Sequence, residues 1–252
     1  MFQQLLSNLT SLGTSPQLTW YAPEGERLEL SASVTANWVT KATNLLVEEF
    51  DASSQTKVLI ELGYHWKTII FTLAAWQVGA SVEVIEKISS PDQISSGYFD
   101  HIVVTHDEDS AAKIYQDPNL HGLIQLPLAP LARKFPGTLY PGAIDGAQDL
   151  MTYSDQLGYL PPVPQDGVAL WLPGGGQVNF SEMLTATENI PMASRVLFEN
   201  SDPTALLLLI PRLLKSQSSL VFTSVDLHKQ LSADDALRNR IFTPENITLQ
   251  LS

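Results

Sequence analysis

One stretch limits the possible folds more than any other: residues 57–85, KVLIELGYHWKTIIFTLAAWQVGASVEVI. KVLIEL is a short run rich in branched side chains and reads as a strand. Gly63 opens a loop, and Trp66, Ile69, Ile70, Leu73 and Ala74 then recur at helical spacing. Gly79 is a natural helix stop in the left-handed conformation. SVEVIE alternates as a second strand. Strand, helix and strand in this order call for parallel strands joined by a right-handed crossover. HIVVT (101–105) adds a strand, DEDSAAKIY a helix with Asp107 and Asp109 near its positive end, and HGLIQLP (121–127) another strand. The alternation predicts a three-layer α/β architecture with a mixed or parallel sheet between helices.

Upstream, QLTWYAPEGERLELS (17–31) reads as a hairpin turned by Pro23, Glu24 and Gly25. Ser31 or Ser33 caps the helix that follows. Its expected apolar stripe is Val34, Trp38, Ala42 and Leu45, with Asn37, Lys41 and Asn44 elsewhere. Downstream, prolines crowd residues 127–165. LMTYSDQLG is a candidate short helix, and YLPPVPQDG the best linker, because consecutive prolines hold extended backbone. The expected organisation is therefore an α/β lobe over 1–160 and a smaller α/β lobe over 165–252. Residues 167–189 repeat the layout of 17–44: a strand with Trp171, a turn, a return strand with Val178 and Phe180, and a helix capped by Ser181.

Composition narrows the function classes. A hydrophobic fraction of 44% against 16% charged residues excludes a disordered chain. The net charge, 14 − 27 = −13, argues against a nucleic-acid partner. With no Cys, thiolate metal sites, disulfides and Cys nucleophiles drop out. The start, MFQQLLSNLTSLG, lacks the basic region and long apolar core of a signal peptide. TALLLLIPRLL (204–214) is too short to span a membrane and reads as a buried helix. A cytoplasmic address with no membrane span is expected.

Three segments resemble the amino-terminal half of the adenylate-forming enzymes, the superfamily of acyl-CoA synthetases, luciferases and adenylation domains. LTWYAPEGERLELSASVTANWVTKATNLL resembles their opening hairpin and helix. KVLIELGYHWKTIIFTLAAWQVGASVEVI resembles their strand–helix–strand unit, with AAWQVGASVEV matching its recurring ending. DGVALWLPGGGQVNFSEMLTATENI sits where the family carries a phosphate loop, and NSDPTALLLLIPRLLKSQSSLVF resembles the helix and strand after it. More narrowly, the chain resembles a short actinobacterial group related to these enzymes. The resemblance covers most of residues 15–225 and implies their N-terminal subdomain fold.

The departures from the family pattern bear on activity. The family loop is rich in Ser, Thr and Gly and ends in a Pro-Lys-Gly that serves the ATP phosphates. Here the stretch is Pro173, Gly174, Gly175, Gly176 and Gln177, with no hydroxyl and no Lys. No Lys or Arg occurs between Lys134 and Arg195, while Asp145, Asp149, Asp155, Asp166, Glu182 and Glu188 do. Phe198, Glu199 and Asn200 stand in place of an aromatic–His motif. The chain also stops before the family's later motifs and its C-terminal Lys-bearing domain. The resemblance thus implies a relative without the catalytic parts.

Other constellations are sparse. Gly174, Gly175 and Gly176 read as a hairpin turn, with a degenerate nucleotide-loop position or anion nest as the alternative. Tyr64 and His65 follow a strand end, where ligands of open α/β sheets bind, and form the candidate ligand-facing loop. The alternative has Trp66 packed inward and Tyr64 covering the loop. His101 and His106 are an odd number apart, which points them to opposite faces and predicts no metal site. Adjacent acids such as Asp234 and Asp235 make no acid–base pair. No G-x-S-x-G elbow marks a Ser nucleophile.

These observations predict a non-catalytic relative of the adenylate-forming ligases, acting as a binding or interaction protein, with no catalytic residues and no cofactor. The alternative is a residual or split acyl-adenylating activity using ATP and magnesium, completed by another chain. A small-ligand sensor is the third reading. A homodimer or partner complex is expected, with Leu206 to Ile210 and the run IFTPENITLQLS as the exposed or exchanged pieces.

Overall fold

The structure, a computed structural model, describes residues 2–94, 99–130, 132–185 and 190–252. The chain runs α1 (Phe2–Ser11), β1 (Pro16–Tyr21), β2 (Arg27–Ser31), α2 (Ala32–Phe50), β3 (Thr56–Glu61), α3 (Trp66–Val78) and β4 (Ser81–Val84). It continues with β5 (Asp100–Thr105), α4 (Glu108–Ile114), β6 (Leu120–Gln125), β7 (Ala143–Asp145), β8 (Val168–Trp171), β9 (Gln177–Asn179) and α5 (Phe180–Thr185). The last elements are β10 (Arg195–Phe198), α6 (Pro203–Lys215), β11 (Ser219–Thr223), α7 (Val225–Leu231), α8 (Asp235–Phe242) and β12 (Leu249–Leu251).

Two mostly parallel sheets result. The first has the order β12-β10-β11-β1-β2, and the second β7-β6-β5-β3-β4-β8-β9. The hairpins β1–β2 and β8–β9 are the antiparallel pairs. Alternation sorts the side chains onto faces. Val58, Ile60, Ile102, Val104 and Ile124 of the second sheet face the main core, together with Leu18, Trp20, Leu220 and Phe222 of the first. Leu59, Val103 and Leu123 turn the other way onto Ala111 and Ile114 of α4. Tyr21, Leu197 and Val221 turn onto Leu227 and Leu231 of α7 and Phe242 of α8. Each sheet is thus covered on both faces, as parallel strands require, and the two three-layer units share the helices between them.

Helix α3 is buried along its whole length, from Trp66 to Val78. That explains why its sequence lacks a strong polar stripe. Gly79 ends it at φ 84, the left-handed conformation expected. Trp76 Nε1 donates to the Ala169 carbonyl at 2.7 Å and ties the helix to β8. Ser31 caps α2 by accepting the Val34 amide, and Asp107 caps α4 by accepting that of Ser110.

Several expectations are corrected. Proline-rich residues 159–167 form no helix or strand, but the division at 160–165 does not coincide with a division of sheets. Strands β8 and β9 extend the sheet of β3–β7, and β10–β12 complete that of β1 and β2. Val34 is 41% exposed, whereas Asn44 is buried and donates to the carbonyls of Ser154 and Gln156 at 2.9 and 3.0 Å. The segment around residues 153–157 covers that side of α2. LMTYSDQLG supplies only a single 3-10 turn over Leu150–Thr152. Helix α5 begins at Phe180, so Ser181 lies inside it rather than capping it. Leu206, Leu207, Leu209 and Ile210 are buried, and only Leu208 reaches the surface. The final run folds back, with β12 lying parallel to β10 through Val196↔Leu249 and Phe198↔Leu251.

Candidate functional site

Topology defines two switch points at strand carboxyl ends. In the second sheet β3 leaves through α3 on the inner face, while β5 leaves through α4 on the outer face, so the chain diverges between Glu61 and Thr105. In the first sheet β11 leaves through α7 and α8, while β1 turns away into β2. Such switch points are where open α/β sheets bind ligands.

The loop Gly63–Tyr64–His65 lies at the first of these. Gly63 has φ 64, which suits a residue without Cβ. His65 caps α3, its Nδ1 accepting the Lys67 amide at 3.2 Å. In the neutral ring that contact leaves the proton on Nε2. His65 is 4% exposed, with its ring 4.6 Å from that of Trp20 in a T-shaped pair. Burial, reinforced by the charges of Lys67 and His106, pushes its pKa down to about 3. The imidazole is therefore neutral at pH 7 and supplies no positive charge. Tyr64 is also buried, edge-on to Phe222, and Trp66 is edge-on to Trp38. Burial, with a contribution from Asp202, raises the Tyr64 phenol. The structure brings Tyr64 and His65 together, but as part of an aromatic seam between the sheets. Trp66 does pack inward.

Lys67 was not singled out from the sequence. It is buried, and its ammonium donates to the carbonyls of Pro127 and Ala129. Burial lowers it to about 8. Beside it the switch point is filled by protein. Glu61 is 2% exposed and accepts from the Ile88 amide and the Ser110 hydroxyl, each at 2.8 Å, and from the Thr105 hydroxyl.

The glycine hairpin lies elsewhere, between β8 and β9. Leu172 N donates to Gly176 O at 2.8 Å and Gly175 N to Leu172 O at 3.1 Å, so the Gly175 amide is engaged in the turn. Gly174 and Gly175 have φ 86 and 93. A Cβ on either would meet no heavy atom within 4 Å, so the tip is open. At its base Lys57 sits 4.8 Å over the Trp171 ring and is paired with Glu83 at 2.7 Å. Glu182 accepts the Asn179 amide, and Glu188 lies outside the described residues. Among the described residues no group of three or more His, Asp or Glu side chains could hold a metal ion.

A charge cluster of two arginines and two glutamates lies on the outer face of the first sheet, and neither spacing nor motif announces it. Glu245 is 5% exposed. Its carboxylate accepts from the Tyr21 hydroxyl, from Arg27 Nε at 2.9 Å and from Arg195 Nη2. Arg195 Nε also donates to the Glu245 carbonyl at 2.7 Å, and Glu29 pairs with both arginines. Burial raises the Glu245 pKa, but the hydrogen bonds from Arg27, Tyr21 and Arg195 outweigh it and hold the carboxyl below its ordinary range. Burial and Glu245 push Tyr21 up to about 12. Arg27 and Glu245 form a wall between two clefts of about 500 and 790 Å³. The larger opens at the second switch point, over Ala22, Leu227, Leu237 and Ile241, with Gln230 and Arg240 on its polar side.

The two sheets, the helices shared between them and the terminal hairpins define an architecture found in the N-terminal subdomains of adenylate-forming enzymes. An acyl-CoA synthetase from Brucella canis superposes with a TM-score of 0.71 at 14% identity, covering 92% of this chain and 45% of that one. Acetoacetyl-CoA synthetase from Streptomyces lividans gives 0.72 at 14%, with 88% and 38% covered. The artificially fused adenylation–PCP di-domain NpsA-ThdA from Klebsiella oxytoca gives 0.67 at 14%, with 99% and 42% covered. At this identity the likeness is one of fold, and the chain spans less than half of each. Among curated proteins, a TIGR03089 family protein of Mycobacterium tuberculosis (strain ATCC 25618 / H37Rv) is 42% identical over 66 residues, 26% of this chain and 27% of that protein. No protein-family model matches the chain. No helix among the described residues is long and apolar enough to cross a membrane.

Proposed function

We propose that this chain is a non-catalytic relative of the adenylate-forming ligases that works as a binding or interaction protein. The carrying observation is the hairpin at Gly174–Gly176. A magnesium–triphosphate needs converging N–H donors, hydroxyls and a cation around its outer oxygens. This hairpin has no hydroxyl and no Lys or Arg, and its Gly175 amide already bonds to Leu172. Its residues do not fit ATP and magnesium. The neutral, buried His65 likewise offers no positive charge to a phosphate. The open cleft beside Leu227 and Arg240 has the size of a small-ligand site and supports a binding role. A cytoplasmic address, and a partner protein as the bound species, belong to the same reading. So does a surface that repels nucleic acid, given the net charge of −13.

Acid-dependent ATP–pyrophosphate exchange, measured over a broad panel of carboxylic acids, tests the reading. The native chain is expected to match a Gly175→Trp control. Exchange well above that control would replace this reading with a residual acyl-adenylating activity.

A further inference from the structure

Residues 243–251 close the outer edge of the first sheet. Their side chains are unusual for an element that completes a sheet. Thr243, Pro244, Asn246, Thr248 and Gln250 are exposed, and Ile247, Leu249 and Leu251 are only half-buried. The one buried side chain is Glu245, a carboxylate. Neighbouring β10 and β11 instead bury Val196, Leu197, Phe198, Leu220, Val221 and Phe222. Apolar burial therefore holds those strands, at roughly 25 cal/mol per Å² removed from water, and holds the last segment less, through Leu249 and Leu251 half-buried on the main core and Ile247 on the outer one.

Polar contacts add to this hold, at both ends of β10. At the amino end, Glu245 takes the hydroxyl of Tyr21 and the guanidinium groups of Arg27 and Arg195, while the Thr248 amide donates to Arg195 O at 3.0 Å. At the carboxyl end, the Glu199 amide donates to Leu251 O at 2.8 Å. The Glu199 carboxylate accepts both guanidinium bonds of Arg238, at 2.9 and 2.7 Å, and the amide of Gln250. The turn into the strand passes through Asn246 at φ 51, a left-handed position that Asn tolerates. Charged hydrogen bonds of this kind are strong while both partners are ionised and are lost as a group when one partner goes.

We propose that residues 243–251 are a strap latched by the Glu245 carboxylate, able to leave the β10 edge as a unit while the rest of the fold stays closed. Release uncovers the backbone groups of Arg195–Phe198 on that side, a parallel edge already shaped to take an extended strand. The strap's own strand occupies that edge in the closed state. This inference is independent of whether the glycine hairpin binds nucleotide.

Hydrogen exchange on the full chain at pH 7, native against Glu245→Gln, reads the latch. Thr248 and Glu199 report the strap, because their amides bond across the β10–strap seam. Val58 to Ile60 in β3 report the core. The expected result is a loss of protection of about tenfold at Thr248 and Glu199 in the variant, the scale of one charged hydrogen-bond cluster, with β3 unchanged. Gln250→Ala, which removes a contact at the other end, should lower protection at Thr248 and Glu199 alike, because the strap opens as one unit; a loss confined to Glu199 would show separate fraying of the two ends and overturn the proposal. Unchanged protection at Thr248 in Glu245→Gln overturns the proposal. So does an equal loss at Thr248 and in β3, which would make the segment part of one global unit.

Discussion

The imidazole of His65 accepts the backbone N–H of Lys67 at 3.2 Å, so a histidine performs the capping role usually taken by Ser, Thr, Asp or Asn. The same contact turns the ring into the seam beside Trp20 and commits its proton to Nε2. A residue that sequence position marks as ligand-facing is thereby occupied in holding the start of α3.

The His65 ring should stay neutral through pH 5–8, and its NMR ring-proton shifts should be flat over that range. Its folded pKa, about 3, lies below the ordinary 6.5, so the unfolded chain takes up the proton first. Its contribution to stability is full above pH 6.5 and falls as pH drops from there toward 3. His65→Asn keeps the cap and should lack that part of the slope in unfolding midpoints. A His65 titration near 6.5 would contradict the burial argument.

Gly174 has a conformation that a Cβ disfavours, in open space where nothing else penalises substitution. Gly174→Ala should cost about 1 kcal/mol in denaturant unfolding, from backbone strain alone. A neutral result would show that the hairpin tip relaxes freely.

Asn44 holds the carbonyls of Ser154 and Gln156 from the side of α2. Asn44→Ala should destabilise by about 2 kcal/mol, since two carbonyls lose a buried donor. Limited proteolysis should then favour the region around residues 153–157. Cleavage at the same rate as in the native chain would count against this clamp.

An exchanged dimer through the final run would have to break every contact of Glu245 and re-form it in another copy. The fold-back favours a monomer, so light scattering at micromolar concentration should give 27.7 kDa without a rise on concentration. A mass near twice that value would show a homodimer, on a surface other than the buried Leu206, Leu207, Leu209 and Ile210.

Much of the local structure was legible in the residues. The period of Trp66, Ile69, Ile70, Leu73 and Ala74 and the stop at Gly79 place α3 and its flanking strands. Capping by Ser31 and Asp107 was readable too, because a cap satisfies amides two or three residues away. The candidate site was less legible. Tyr64 and His65 were found by their place after a strand, but their burial depends on Trp20 and Phe222 arriving from the other sheet. Arg27 and Glu245 carry no shared motif, being 218 residues apart.

The sequence by itself determined the strands and helices of residues 17–125, where many of them start and stop, and that β3 to β6 run parallel through crossover connections, while α1, β7, β10, α7, α8 and β12 went unread. Those features rest on periodicity, capping and handedness, all of which act over a few residues or one crossover. Only the tertiary structure decided how the strands divide between two sheets, that β8 and β9 join β4 across the proline-rich stretch, and that one buried carboxylate fastens the last strand. Edge pairing and buried ion clusters depend on which distant surfaces meet, and that is settled by the burial of the whole chain at once.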